Sequence, residues 1–164
     1  MPIQPLDLAL KQRVVGNLAS HQRLAHDDAT LIRAAVAITL VTDDAGEAAF
    51  VITRRSDALR KHSGQWALPG GRLDPEETEI VAALRELDEE IGLRYESDRV
   101  LGLLDDYPTR SGFVITPVVV WGGAEAVLKP NPDEVAEAHR VALHELDAPE
   151  VPRIFDIPES DRPV

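Results

Sequence analysis

Glu86, Glu89 and Glu90 stand together in the run Arg85-Glu86-Leu87-Asp88-Glu89-Glu90-Ile91-Gly92, which holds no lysine. On a helix at about 100° per residue their side chains fall within about 100° of arc. Such crowding costs energy through like-charge repulsion. Carboxylate oxygens are what a hard cation such as Mg²⁺ or Mn²⁺ selects. The same arc also describes an acidic patch turned to water, and the wheel alone does not separate the two. Ala82 and Ala83 lie on the carboxylate side one turn earlier, where small side chains would leave space for a substrate. Arg85 falls off that face and is placed to orient a carboxylate, with Glu77 as the expected partner; an ordinary helix pair would use the same contact. Glu134 or Glu137, and also Asp105 and Asp106, are the further carboxylates that would complete a cation site, or else plain surface charge.

A second group is cationic. Arg54, Arg55, Arg60 and Lys61 gather in one short stretch of a chain with only 17 basic residues against 29 acidic ones, net charge −12. The arginine fork suits phosphate oxygens; alternatively these side chains balance the glutamates or cap loops. His62 reads as a loop residue. The overall acidity disfavours nucleic-acid backbones and anionic membranes as partners. It also disfavours polyphosphates unless bound divalent cations reverse the local field. With no cysteine, disulfides, zinc–thiolate sites and thiol catalysis are excluded. No apolar run is long enough for a membrane helix, and residues 1–10 lack the features of a signal peptide. These observations predict a cytoplasmic protein.

Positioning the glutamates requires a helix and a layer to hold it. Ile80, Leu84, Leu87 and Ile91 recur at helical spacing and predict a helix over 77–92 with its apolar stripe opposite the carboxylates. Pro75, Glu76 and Glu77 suit its first turn and Gly92 its end. Leu6, Leu8, Leu10, Val14, Val15, Leu18 and Leu24 predict another helix within 5–25. Val, Ile and Thr enrichment predicts strands at Arg33–Thr42 and Ala48–Arg54, joined as a hairpin through Asp43–Gly46. Further strands are expected at Arg99–Asp105, Phe113–Trp121 and Glu134–Leu143, with Pro117 marking an edge or a bulge. Pro69-Gly70-Gly71 reads as a sharp reversal, 56–64 as a loop and Leu143–Leu146 as a short turn. The chain, 1–164, reads as one α/β domain with an N-terminal helical extension, 1–27, and an irregular tail, 147–164.

The order of residues carries more than the wheel. Gly71, Glu77, Arg85, Glu86, Leu87, Glu89, Glu90, Gly92 and Leu93 fill every fixed position of a motif written G, five residues, E, seven residues, REUxEExGU, with U aliphatic. This segment resembles the Nudix hydrolase family. The resemblance implies an α/β/α sandwich around a mixed sheet and metal-dependent hydrolysis of a pyrophosphate linkage in a nucleoside diphosphate derivative. It further implies Glu86, Glu89 and Glu90 as metal ligands with Gly71. Glu86 or Glu89 would act on the attacking water, and Arg85 and Glu77 would assist. A nucleotide-sensing module without catalysis would dispense with these glutamates, and all are present.

Upstream, Val51-Ile52-Thr53-Arg54-Arg55-Ser56, Arg60, Gly64 and Leu68-Pro69-Gly70-Gly71 are similar to the motif that precedes this box in coenzyme A pyrophosphatases. Leu68 stands where those proteins have Phe, and Val51-Ile52 where they have a Leu pair. Thr109–Pro117 is also similar to that subfamily. The resemblance implies coenzyme A or acyl-CoA as substrate, with Arg54, Arg55, Arg60, Lys61 and Leu68 in contact with it. The alternatives are ADP-ribose, a sugar nucleotide or a nucleoside triphosphate. A sandwich of this kind carries a further helix near its end, which 147–164 does not show. Either the N-terminal helix covers that face or the natural C-terminus lies beyond this chain, and a homodimer would be another way to complete the fold.

Overall fold

The computed structural model describes residues 4–58 and 64–152. Arg60, Lys61 and His62, and most of the tail expected to be irregular, lie outside the described residues. Helix α1 spans Leu8–Ser20 and starts at Asp7, whose carboxylate accepts the Leu10 amide, so it is shorter than the apolar spacing suggested. The first strands, β1 (Ile32–Thr42) and β2 (Ala48–Arg55), form the expected antiparallel hairpin, with Leu40 opposite Phe50. Asp43 closes its turn by accepting the Ala45 and Glu47 amides, as a short side-chain acceptor in a turn does.

Two short strands follow, β3 (Trp66–Ala67) and β4 (Gly70–Arg72). The reversal expected at Pro69–Gly71 is therefore partly a strand: β4 pairs antiparallel with β1, setting Gly71 opposite Ala35. Helix α2 runs Glu79–Ile91. Glu77 stays outside it, because Thr78 takes the N-cap and accepts the Val81 amide. Gly92 closes the helix in the left-handed region at φ 68°, a conformation that costs glycine little.

The remaining strands are β5 (Val100–Leu103), β6 (Tyr107–Pro108), β7 (Phe113–Gly123) and β8 (Val135–Ala142). Among the described residues these eight strands make one mixed sheet with β1 at its centre. β1 runs parallel to β7 from Ile32–Phe113 onward. Pro117 is neither on an edge strand nor in a bulge of β7. It lies in the interior of the sheet, opposite the gap between β5 and β6, and its carbonyl accepts the Leu104 amide. The interruption in the neighbouring edge falls where proline offers no N–H.

Alternate residues of the sheet feed two apolar layers, as the period of a strand requires. Ala35, Ala37, Val41, Ala49, Val51, Val118 and Val120 pack under Ala82, Ala83, Leu87 and Ile91 of α2. Leu40, Val119 and Trp121 face the other way, against Leu6, Val14 and Leu18. The N-terminal helix thus covers the face opposite α2. A Leu87→Ala cavity would cost about 2–5 kcal/mol, since that side chain is wholly buried. No described helix is long and apolar enough to cross a membrane.

Candidate metal centre

The alanines of α2 revise the helix-wheel expectation. Ala82 and Ala83 are fully buried in the layer against the sheet, so they leave no open space for a substrate. Their small size instead lets α2 approach β1 and β4 closely. The buried face of the helix is rotated from the Ile80/Leu84 stripe towards Ala83, Leu87 and Glu90. The carboxylates are therefore not opposite the packed face. Glu90 is on it, Glu86 borders it and Glu89 points outward.

Among the described residues, one group of side chains could hold a metal ion: Glu86, Glu90 and Glu134, whose nearest ligand atoms all lie within 4.8 Å of one another. Glu134 arrives from the loop before β8, where its carbonyl accepts the Ser56 amide and its own amide is donated to Asn131. Gly71 faces Glu86 so closely that a Cβ there would overlap Oε1 and sit 2.7 Å from Cδ. Gly70 is packed on backbone instead, where a Cβ would come within 2.7 Å of Val36 Cα. The two glycines serve different ends: Gly70 lets β4 lie against β1, and Gly71 leaves room for the Glu86 carboxylate.

Arg85 organises the outer side. Its Nε and Nη2 fork onto Glu77 at 2.8 and 3.0 Å, and Nη1 reaches Glu86 at 2.8 Å and Glu89 at 3.2 Å. Nη2 also donates to the Arg72 carbonyl at 3.0 Å, and Glu77 accepts the Asp74 amide. The hydrogen bonds from Arg85, outweighing burial, hold the Glu77 carboxyl below its ordinary pKa. Glu77 in turn raises that of Arg85. Burial lifts Glu86 despite the opposing pull of Arg85.

Glu90 is the anomaly. It is 5% exposed, and its Oε2 has no hydrogen-bond partner among the described residues. Burial first, then the charge of Glu86, push its carboxyl up to about 8, against the Gly70 amide and Arg55. A buried carboxylate with one oxygen unsatisfied is costly. A divalent cation held between Glu86, Glu90 and Glu134 would supply the missing counter-charge, and an all-oxygen donor set fits Mg²⁺ or Mn²⁺.

The other candidates separate. Glu89 is half exposed and outside the cluster. Glu137 is exposed and tied to Arg54 and His139, leaving Glu134 as the later carboxylate. Asp105 accepts from Leu24 and pairs with His21, while Asp106 takes Arg23, the His26 amide and the Thr116 hydroxyl. Both hold the N-terminal arm, and neither belongs to the cluster. Arg54 is engaged by Glu137 and Asp57. Arg55 has a buried Nε without a partner among the described residues, and its charge bears on Glu90. Leu68 sits between β3 and β4 at the entrance to the glycine pair.

Comparison with known proteins places these features in a wider set. The model of the NUDIX domain matches residues 31–159, from β1 onward. The chain is 46% identical over 99 residues to an uncharacterized Nudix hydrolase, NudL, of Pectobacterium atrosepticum, covering 60% of this chain and 52% of that protein. It is 38% identical over 130 residues to the NudL of Yersinia pestis, covering 79% and 63%. It therefore spans between half and two thirds of the length of these relatives. Among solved structures it is similar in fold to a MutT/nudix family protein from Enterococcus faecalis, with TM-score 0.58, 22% identity, and coverage of 84% of this chain and 56% of that one. A MutT protein from Methanosarcina mazei has TM-score 0.53 and 25% identity, with coverage of 77% and 83%.

Proposed function

This chain belongs to the Nudix hydrolase family, and on that premise we propose that it hydrolyses a pyrophosphate linkage in a nucleoside diphosphate derivative. Mg²⁺ or Mn²⁺ would be held by Glu86, Glu90 and Glu134 beside Gly71. The observation that carries this reading is the convergence of three carboxylates to within 4.8 Å of one another, one of them buried with an oxygen that has no hydrogen-bond partner among the described residues. A divalent cation bound there neutralises diphosphate oxygens and lowers the pKa of a bound water. The side chains do the rest. Arg85, clamped by Glu77, fixes the rotamer of Glu86. Glu89, half exposed at the rim, receives the proton of the attacking water and passes it to solvent. Arg55, whose charge bears on Glu90, meets a phosphate oxygen through its guanidinium. Arg54, already paired with Glu137, is excluded from that duty and braces β2 against β8.

For substrate we propose coenzyme A or an acyl-CoA, split into adenosine 3′,5′-bisphosphate and (acyl-)4′-phosphopantetheine. The support is the spacing of residues 51–71 and the cationic residues Arg55, Arg60 and Lys61 of that stretch, which suit a substrate with an additional phosphate. A cytoplasmic location accords with such a substrate. The deciding experiment offers coenzyme A, ADP-ribose and nucleoside triphosphates in parallel with Mg²⁺ or Mn²⁺. Release of adenosine 3′,5′-bisphosphate from coenzyme A alone is the expected result. Cleavage of triphosphates alone overturns the substrate, and no turnover of any of them overturns the hydrolase.

A further inference from the structure

Glu90 on α2 and Glu134 before β8 lie far apart in the chain, and one residue is hydrogen-bonded to both. The last carbonyls of a helix have no partner within it. At the end of α2 a single stretch of loop takes two of them: the Lys129 amide donates to the Ile91 carbonyl and the Asn131 amide to the Glu90 carbonyl, both at 2.8 Å. Asn131 stands between Pro130 and Pro132. Proline has no N–H, so over 130–132 only the Asn131 amide can make such a tie. Beyond it the chain turns on the same residue. The Asn131 carbonyl accepts the amides of Glu134 at 3.0 Å and Val135 at 2.7 Å. Its side-chain oxygen accepts the Asp133 amide at 3.2 Å, the bond by which asparagine closes a turn. Its remaining group, Nδ2, faces the Glu134 carboxylate, 3.4 Å from Oε1. Val135, buried beyond the turn, anchors its far side.

We propose that Asn131 is the positioning residue that holds Glu134 against Glu86 and Glu90 for a divalent cation. The proposal rests on the metal-centre reading above and adds to it the group that sets the third carboxylate. Three carboxylates within 4.8 Å of one another repel. Glu86 and Glu90 are held by a helix, whereas Glu134 comes from a loop and has the most freedom to turn away. A carboxylate that had turned away would have to be brought back at each binding event, at a cost in affinity. Asn131 opposes this twice over. Its main chain ties the Glu134 backbone to that of Glu90, and Nδ2 gives the Glu134 carboxylate a hydrogen-bond donor. An amide does so without a charge of its own, so the cluster keeps the negative charge that draws a cation. A lysine or arginine in its place would neutralise it.

The test is Mn²⁺ binding to the full chain without substrate, read from the paramagnetic resonance of the free ion. Asn131→Ala is expected to weaken Mn²⁺ binding about ten-fold, as loss of a group that orients a ligand does, and Glu134→Ala to weaken it further. The double variant should bind as Glu134→Ala does, because a residue that acts through Glu134 has nothing to add once that carboxylate is gone. A residue serving only the stability of the loop would not show this dependence. If Asn131→Ala does not fold, Asn131→Ser carries the same cycle, since its hydroxyl can close the turn but ends one atom short of Nδ2. Unchanged affinity in Asn131→Ala or in Glu134→Ala overturns the positioning role, and so does a loss repeated in full on the Glu134→Ala background. These outcomes leave Glu86 and Glu90 as ligands. A parent chain that binds no Mn²⁺ removes the metal centre itself, and the role of Asn131 with it.

Discussion

Glu90 and Asp106 both carry carboxylates out of contact with water, and their surroundings treat them in opposite ways. Glu90 on α2 has an oxygen with no partner and a carboxyl pushed up to about 8 by burial and by Glu86. Asp106, beside β6, has a side chain with no exposed surface and three donors: Arg23 Nη2 at 2.5 Å, the Thr116 hydroxyl at 2.6 Å and the His26 amide at 2.9 Å. Burial pulls its carboxyl upward too, but those donors outweigh it and hold the pKa below the ordinary value. One carboxylate is satisfied by the fold and the other is not. A satisfied buried charge serves architecture, and an unsatisfied one is retained where its chemistry is used.

The sharpest way to break this contrast is Glu90→Gln. Removing a metal ligand is expected to lower kcat/KM at least about a hundred-fold, beyond the loss typical of outer-shell changes. The metal-free variant should melt no lower than the parent, because the amide discards a buried charge. The pH profile sharpens the point. A carboxyl whose folded pKa is raised binds a proton that the unfolded chain releases near pH 4.3, so its effect on stability worsens as pH rises from there to about 8 and then levels off. Across that window the raised carboxyl is expected to take melting temperature away from metal-free protein, read as the difference between the parent and Glu90→Gln. Glu90→Gln should flatten this decline, and saturating Mg²⁺ should offset it in the parent only. A variant that hydrolyses coenzyme A normally would remove Glu90 from the site.

The adjacent glycines separate architecture from chemistry at closer range. In Gly70→Ala the new methyl meets the Ala35 carbonyl and Val36 Cα, backbone that cannot move without shifting β4 from β1. A loss of about 2–3 kcal/mol in denaturant unfolding is expected. In Gly71→Ala the methyl meets the tip of Glu86, a side chain that can swing away. Stability should change by less than about 1 kcal/mol, while activity falls about ten-fold through the displaced carboxylate. Equal stability losses in the two variants would show that Gly71 is packed for structure alone.

Much of this was legible before the coordinates. The Gly71–Leu93 motif locates the helix and its glutamates, and enrichment in Val, Ile and Thr locates β1 and β2. Three things were not legible, each for a physical reason. The helix wheel assigns the buried face to the largest apolar residues, but close packing of α2 on β4 turned Ala82, Ala83 and Glu90 inward instead. Pro117 reads as an edge or a bulge because local sequence does not reveal where a neighbouring strand breaks. Choosing between Glu134 and Glu137 needed the pairing of β2 with β8, which sets Glu137 beside Arg54 and leaves Glu134 just before the strand, at the cluster. Asp106 looked like a spare metal ligand for a similar reason. Its donors come from Arg23 and His26, some 80 positions away, and no spacing rule reaches that far.

Asp106 therefore supplies the counter-test, with the smallest expected effect. Asp106→Asn keeps one acceptor oxygen, enough for the Thr116 hydroxyl on Oδ1 or the His26 amide on Oδ2 but not both, and leaves the Arg23 guanidinium without its charge partner. Breaking a fully buried ion pair costs about 3–5 kcal/mol, but Arg23 is 27% exposed and water takes up part of the loss. About 1.5–2 kcal/mol is expected in denaturant unfolding, with kcat/KM of the folded fraction unchanged. The sign in acid is the reverse of that for Glu90. A depressed carboxyl pKa adds stability that is complete above the unfolded value of about 3.9 and disappears as pH falls through the folded one. The parent should thus lose stability more steeply than Asp106→Asn below pH 4, and the two should run parallel at neutral pH. If the variant instead lost metal-induced stabilisation, Asp106 would belong with the glutamates, and the division between satisfied and unsatisfied carboxylates would fail.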